Sequence, residues 1–113
     1  TGEARITGAH NLPHRHVIHT VGPIWRGGGS GEAELLANCY RNTLQLAFDY
    51  ACNSIAFPAI STGVYGYPKE DAAEIAVATV REFVLEQEID MPVLFCCFDA
   101  ETRAIYNSLL SRD

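Results

Sequence analysis

Residues 54–68 read Ser-Ile-Ala-Phe-Pro-Ala-Ile-Ser-Thr-Gly-Val-Tyr-Gly-Tyr-Pro, and this stretch decides the fold. Its first half, 54–60, is a short apolar run with β-branched and aromatic residues, the pattern of a strand buried on both faces. Its second half sets Gly63 and Gly66 among hydroxyls and tyrosines. Pro68 then stands at the first position of a periodic helix, where a missing N–H costs nothing. A strand, a glycine loop and a helix N-terminus in that order can hold an anion. Glycine lets the backbone turn its N–H groups toward a ligand, and the helix end adds partial positive charge. The loop around Gly63 and Gly66 is therefore a candidate phosphate cradle.

Helices and strands alternate on both sides of this loop. Downstream, Ala72, Ile75, Ala76, Thr79, Val80 and Phe83 share one helix face, and Glu70 and Asp71 suit the dipole of its first turn. Residues 92–98 form a second continuous apolar strand, and Asp99 is a natural N-cap for a last helix burying Ala104, Ile105 and Leu109. Upstream, residues 4–7 and 16–21 read as strands, the first an edge strand, with Asn11-Leu12-Pro13 a turn between them. Gly27, Gly28 and Gly29 read as an exposed connector rather than a second phosphate loop, since no basic or hydroxyl pattern accompanies them. Leu36, Tyr40, Leu44 and Ala47 then mark an amphipathic helix from Glu32 to about Tyr50. This alternation predicts a largely parallel sheet with helices on both faces, and ligands bound beyond the carboxyl ends of its strands.

Composition narrows the function. The chain has 113 residues, 48% of them hydrophobic, which fits one globular domain. No apolar run approaches the roughly 20 residues of a membrane span, and no signal peptide is visible. A net charge of −6 argues against nonspecific nucleic-acid binding, so any anion must be held by local N–H groups. Cys39, Cys52, Cys96 and Cys97 form no C-x-x-C pair and read as reduced core thiols of a cytoplasmic protein. His10, His14, His16 and His19 lack a carboxylate or cysteine at ligand spacing, so no metal site is expected and His19 reads as a core residue. Ser61 and Thr62 sit in no G-x-S-x-G elbow, which speaks against a serine nucleophile.

Three stretches carry a family resemblance. Thr1-Gly2-Glu3-Ala4, Val17-Ile18-His19-Thr20-Val21-Gly22-Pro23 and above all the block from Phe57 through Ser61-Thr62-Gly63-Val64-Tyr65-Gly66 to Pro68 resemble the macrodomain family. The similarity is strongest to its O-acetyl-ADP-ribose deacetylases and mono-ADP-ribosyl hydrolases, and it covers essentially the whole chain. It implies a three-layer α/β/α sandwich with a mixed, mostly parallel sheet, here a single partial macrodomain over residues 1–113 that needs no cofactor. It also implies an ADP-ribose or O-acetyl-ADP-ribose ligand, and an ADP-ribosylated protein as a further partner. Ser61, Thr62, Gly63, Val64, Tyr65 and Gly66 would wrap the diphosphate and distal ribose, with Tyr65 over the ribose. Phe98 falls where the family places a residue near the adenine, though an ordinary core phenylalanine would look the same.

The resemblance also implies an N-terminal segment of two strands and a helix, carrying the catalytic aspartate, an asparagine-rich ribose motif and an acidic adenine contact. The chain begins at Thr1 inside a strand, so those strands and that first helix are expected to be missing, and no catalytic residue is assigned. Asp49, Asp71 and Asp99 lie in helices or caps and cannot replace the aspartate. By family topology one missing strand separates the strand ending at Val21 from the one ending at Ile60. Buried unpaired backbone groups cost about 1–3 kcal/mol each, so the two strands are expected to close on each other or to be bridged by a second copy. Three functions follow as expectations: part of an ADP-ribosyl hydrolase or deacetylase, a non-catalytic ADP-ribose reader, or a remnant that mainly self-associates.

Overall fold

A computed structural model describes residues 1–8, 16–63, 65–97 and 99–111. In chain order the elements are β1 (Ala4–Gly8), β2 (His16–Thr20), α1 (Glu32–Asp49), β3 (Ile55–Phe57), α2 (Lys69–Gln87), β4 (Val93–Phe95) and α3 (Ala100–Leu110). The four strands form two separate pairs. β1 and β2 run antiparallel with Ile6 opposite Ile18, whereas β3 and β4 run parallel with Ala56 opposite Leu94. The sequence placed every element in the correct order, but it made the third and fourth strands too long. Pro58 and the loop that follows end β3 after three residues, and Pro92 precedes β4.

The strand of 54–60 is not buried on both faces. Phe57 is buried and Ile55 half-buried, while Ala56 between them is exposed. β4 repeats the pattern, with Leu94 60% exposed between half-buried Val93 and Phe95. On the other pair, Arg5 and His19 are exposed and Ile6 and Ile18 half-buried. The described strands are thus covered on one face only, by α1, α2 and α3. His19 is a surface residue of β2 rather than a core histidine. Of the four cysteines, all free, only Cys39 is buried, and Cys96 is exposed.

A ladder of rings runs through the core. Tyr40 of α1 packs on Phe57 of β3 at 4.9 Å between centroids, Phe57 on Phe95 of β4 at 6.1 Å, and Phe95 on Tyr106 of α3 at 4.8 Å. Such pairs add about 0.5–1.5 kcal/mol each beyond the area they bury. Burial, with the Tyr106 phenol beside it, pushes the Tyr40 phenol far above its ordinary range, so it stays neutral. Leu36, Leu44 and Ala47 complete the buried stripe of α1, as the periodicity predicts. In α3 the buried residues are Thr102, Tyr106 and Leu109, and Ala104 is exposed. The helix turns its aromatic residue inward because Phe95 is there to receive it. Asp99 does cap α3, its carboxylate accepting the Thr102 amide at 2.7 Å, and it also pairs with Lys69 at 3.2 Å. Among the described residues no helix is long and apolar enough to cross a membrane.

β2 and β3 do not close on each other. Each pair is tied separately to α1: Asn42 donates to the Gly2 carbonyl at 2.7 Å and Cys39 to the Val21 carbonyl at 3.4 Å, while Tyr40 holds β3. Among the described strands, β2 pairs only with β1 and β3 only with β4, and their other edges face a cleft of about 1190 Å³ with Thr43 and Ala47 of α1 also in its wall. Because the cleft is open, water can satisfy the strand edges, which removes the penalty that would have pulled them together.

Truncating the centre of the ring ladder, Phe57→Ala, should cost about 3–5 kcal/mol, a large part of the roughly 5–15 kcal/mol that holds a domain together. Leu85→Ala, at a position 78% exposed, should change stability by less than about 0.5 kcal/mol. Urea unfolding of the two variants checks both values.

Candidate functional site

The loop between β3 and α2 forms one end of the cleft. It is closed internally by two backbone bonds, Tyr67 N–H to the Ser61 carbonyl at 2.9 Å and Gly66 N–H to the Gly63 carbonyl at 3.0 Å. Those two amides are therefore not available to a ligand. Among the described residues, the amides of Ser61, Thr62, Gly63 and Tyr65 have no backbone acceptor. The Thr62 hydroxyl is also used internally, donating to the Ala59 carbonyl at 3.0 Å. What the loop offers is a short run of amides together with the side chains of Ser61 and Tyr65, both of which line the cleft.

The turn is made differently from the sequence expectation. Gly66 takes a left-handed φ of 74°, but Gly63 does not; among the described loop residues the other left-handed one is Ser61, at φ 67°. A non-glycine in that region carries backbone strain, and such residues concentrate where a chain is shaped for a ligand. The Ser61 hydroxyl is buried and has no hydrogen-bond partner, a property it shares among the described side chains only with Thr43. Both groups line the same cleft. Buried hydroxyls are normally paired, so the two mark a surface prepared for polar contact.

Ser61 can sit there because Gly22 has no side chain. A Cβ on Gly22 would lie 2.2 Å from the Ser61 Oγ and 2.5 Å from Ile60 Cγ2. Pro68 is the N-cap of α2 rather than its first helical residue, with its carbonyl accepting the Ala72 amide at 2.9 Å. Tyr65 is 37% exposed, as its glycine neighbours suggest, and its carbonyl accepts the Trp25 amide at 2.8 Å. Val64 and Phe98 lie outside the described residues.

Facing this loop is the segment after β2. Gly27 to Gly29 are exposed, as expected of a connector, but the segment is not slack. The Glu32 carboxylate accepts the amides of Arg26 at 2.8 Å, Gly28 at 3.0 Å and Ser30 at 2.6 Å. The Arg26 amide does most to hold the Glu32 carboxyl at about 2, against the opposing effect of burial. A glutamate at the start of a helix gave no such signal in sequence; only the three converging amides identify it. Between the two loops lies a smaller recess of about 220 Å³ lined by Arg26, Ser30, Glu32 and Tyr65. No group of three or more histidine, cysteine, aspartate or glutamate residues among those described could hold a metal ion.

The chain is similar to a set of known proteins. The profile of the Macro domain family matches residues 1–76. A protein of Klebsiella pneumoniae named O-acetyl-ADP-ribose deacetylase is 60% identical over 110 residues, which cover 97% of this chain and 63% of that protein. A macro domain-containing protein of Mesorhizobium japonicum is 58% identical over 93% of this chain and 60% of its own length. Among solved structures, the Oceanobacillus iheyensis macrodomain with ADP superposes at a TM-score of 0.89 with 49% identity, covering 97% of this chain and 57% of that one. The Trypanosoma brucei macrodomain in complex with ADP-ribose gives 0.86 and 39%, over 98% of this chain and 46% of that one. The chain thus spans about 60% of the length of the curated relatives it matches.

Two outcomes test the site's construction. Gly22→Ala should destabilise the fold by about 1–3 kcal/mol and displace the Ser61 turn, visible as amide shifts at Ser61 and Tyr67. Glu32 and Asp99 are both held at about 2, below their ordinary values of 4.5 and 3.8, so their ionised forms favour the folded state. Their contribution should be complete above about pH 4.5 and decline as the pH falls toward about 2. Glu32→Gln should flatten that slope in a series of urea midpoints.

Proposed function

Because this chain belongs to the Macro domain family, we propose that it binds ADP-ribose at the Ser61–Tyr67 loop. The observation that carries the reading is the strained Ser61 turn, with its hydroxyl in the cleft and amides beside it, none of which has a hydrogen-bond partner among the described residues. Backbone N–H groups suit a diphosphate in a chain of net charge −6, because they attract the anion locally without a basic surface. In this reading the amides of Ser61, Thr62, Gly63 and Tyr65 bind the phosphoryl oxygens, and the Tyr65 ring covers the distal ribose. Gly66 contributes its turn rather than its amide. From the family resemblance alone, Val64 is assigned to the same diphosphate and ribose contact and Phe98 to stacking on adenine.

For the whole protein we propose hydrolysis of O-acetyl-ADP-ribose, or of mono-ADP-ribosyl groups on acidic side chains of proteins. The identity to a relative named as a deacetylase supports this. Water would add to the ester carbon or displace the side chain at the ribose carbon, releasing acetate or the free carboxylate. Of the described aspartates, Asp49 accepts from Gln45 and Asp99 caps α3. The loop's part is therefore to bind and position. The free thiols are compatible with a reducing, cytoplasmic setting.

A second reading, self-association by strand pairing, is favoured by the edges of β2 and β3 that border the cleft and that no other described strand covers. Light scattering after size exclusion decides it: a dimer supports pairing, and a monomer removes it.

Titration of ADP-ribose by calorimetry should give saturable one-to-one binding. A Cβ at Gly63 meets nothing within 4 Å among the described residues, so Gly63→Phe should fold normally. It should nevertheless weaken binding by at least about tenfold, or about 1.4 kcal/mol, by obstructing the amides. Unchanged affinity would take the loop out of the site. Release of acetate or of a carboxylate peptide on incubation with the modified substrates separates an enzyme from a reader.

A further inference from the structure

We infer that Glu32 is the positioning residue of the anion loop, acting through Trp25 from outside the cleft; this rests on the binding reading above. The connection is short and continuous. Three amides of the segment 26–30 converge on the Glu32 carboxylate, at 2.8, 3.0 and 2.6 Å. Trp25 precedes the first of them. Its own amide donates to the Tyr65 carbonyl at 2.8 Å, and its ring packs on Tyr67 at 4.7 Å. Tyr67 in turn closes the anion loop through the Ser61 carbonyl at 2.9 Å. The loop is therefore held at Tyr65 and Tyr67 by a residue whose own place is set by Glu32.

The sequence on either side makes this anchor necessary. Gly27, Gly28 and Gly31 all take left-handed φ values, so the segment has little local preference to keep Trp25 in place. Glu32 itself is 1% exposed and sits in the first turn of α1, where the helix dipole favours a negative charge. Its depressed carboxyl value keeps it an acceptor throughout the physiological range. Both carboxylate oxygens are used, Oε2 by Arg26 and Gly28 and Oε1 by Ser30. A carboxamide of the same shape offers one acceptor oxygen and turns two donors toward amides that also donate.

The test uses Glu32→Gln with Leu109→Ala as a control of reduced stability in α3, away from both loops. Trp25 is the chain's one tryptophan, so its emission reports on this segment alone. Glu32→Gln should shift that emission to the red, move the Tyr65 and Tyr67 amide resonances, and weaken ADP-ribose binding by about tenfold. Leu109→Ala should lower the melting temperature with emission, resonances and affinity unchanged. Wild-type emission and resonances in Glu32→Gln would overturn the inference, as would an equal loss of affinity in the control. Absence of ADP-ribose binding by the unaltered chain would instead overturn the binding reading, and the Tyr65 and Tyr67 resonances would still decide whether Glu32 sets the loop.

Discussion

Tyr40 is where helix and sheet meet. Its ring lies against Phe57 of β3, at one end of a run of packed rings that continues through Phe95 of β4 to Tyr106 of α3. Packed rings of this kind prefer particular separations and tilts, so α1, β3, β4 and α3 hold one another in place through them. The anion loop leaves the sheet just after Phe57, the ring at the centre of that run.

The site is assembled on this frame from two loops that differ in kind. The loop after β3 is shaped by its own backbone, with Ser61 and Gly66 left-handed and two internal bonds. The segment after β2 has glycines in place of such preferences and takes its form from the Glu32 carboxylate. Gly22 lets them approach closely, since any side chain there would strike Ser61. The absence of one Cβ and the presence of one carboxylate thus set the spacing between two walls.

The open cleft follows from how the strands are supported. α1 holds the β1–β2 pair through Asn42 and Cys39 and the β3–β4 pair through Tyr40, so neither pair needs the other for its position. Water can satisfy edges that remain accessible. The expectation that β2 and β3 would close on each other counted the cost of unpaired groups as if water could not reach them, whereas the cleft beside the two edges is open. The one-sided burial of Ala56, Leu94, Arg5 and His19 shows the same logic on the strand faces.

Sequence alone determined the element order, the buried stripe of α1, the Asp99 cap and the place of the anion loop between a strand and a helix. These depend on local periodicity, capping chemistry and proline and glycine placement, which neighbouring residues settle among themselves. The family was legible for a related reason, since the block from Phe57 to Pro68 keeps its residue types in order. Tertiary structure decided which loop amides stay available, that Ser61 rather than Gly63 takes the strained turn, and that Glu32 anchors a glycine segment. It also decided that Tyr106 rather than Ala104 faces inward and that β2 and β3 stand apart. Several of those depend on partners that local spacing does not reveal: Gly22 for the Ser61 turn, Phe95 for Tyr106, α1 for both strand pairs. Sequence spacing carries no record of such partners until the chain has folded.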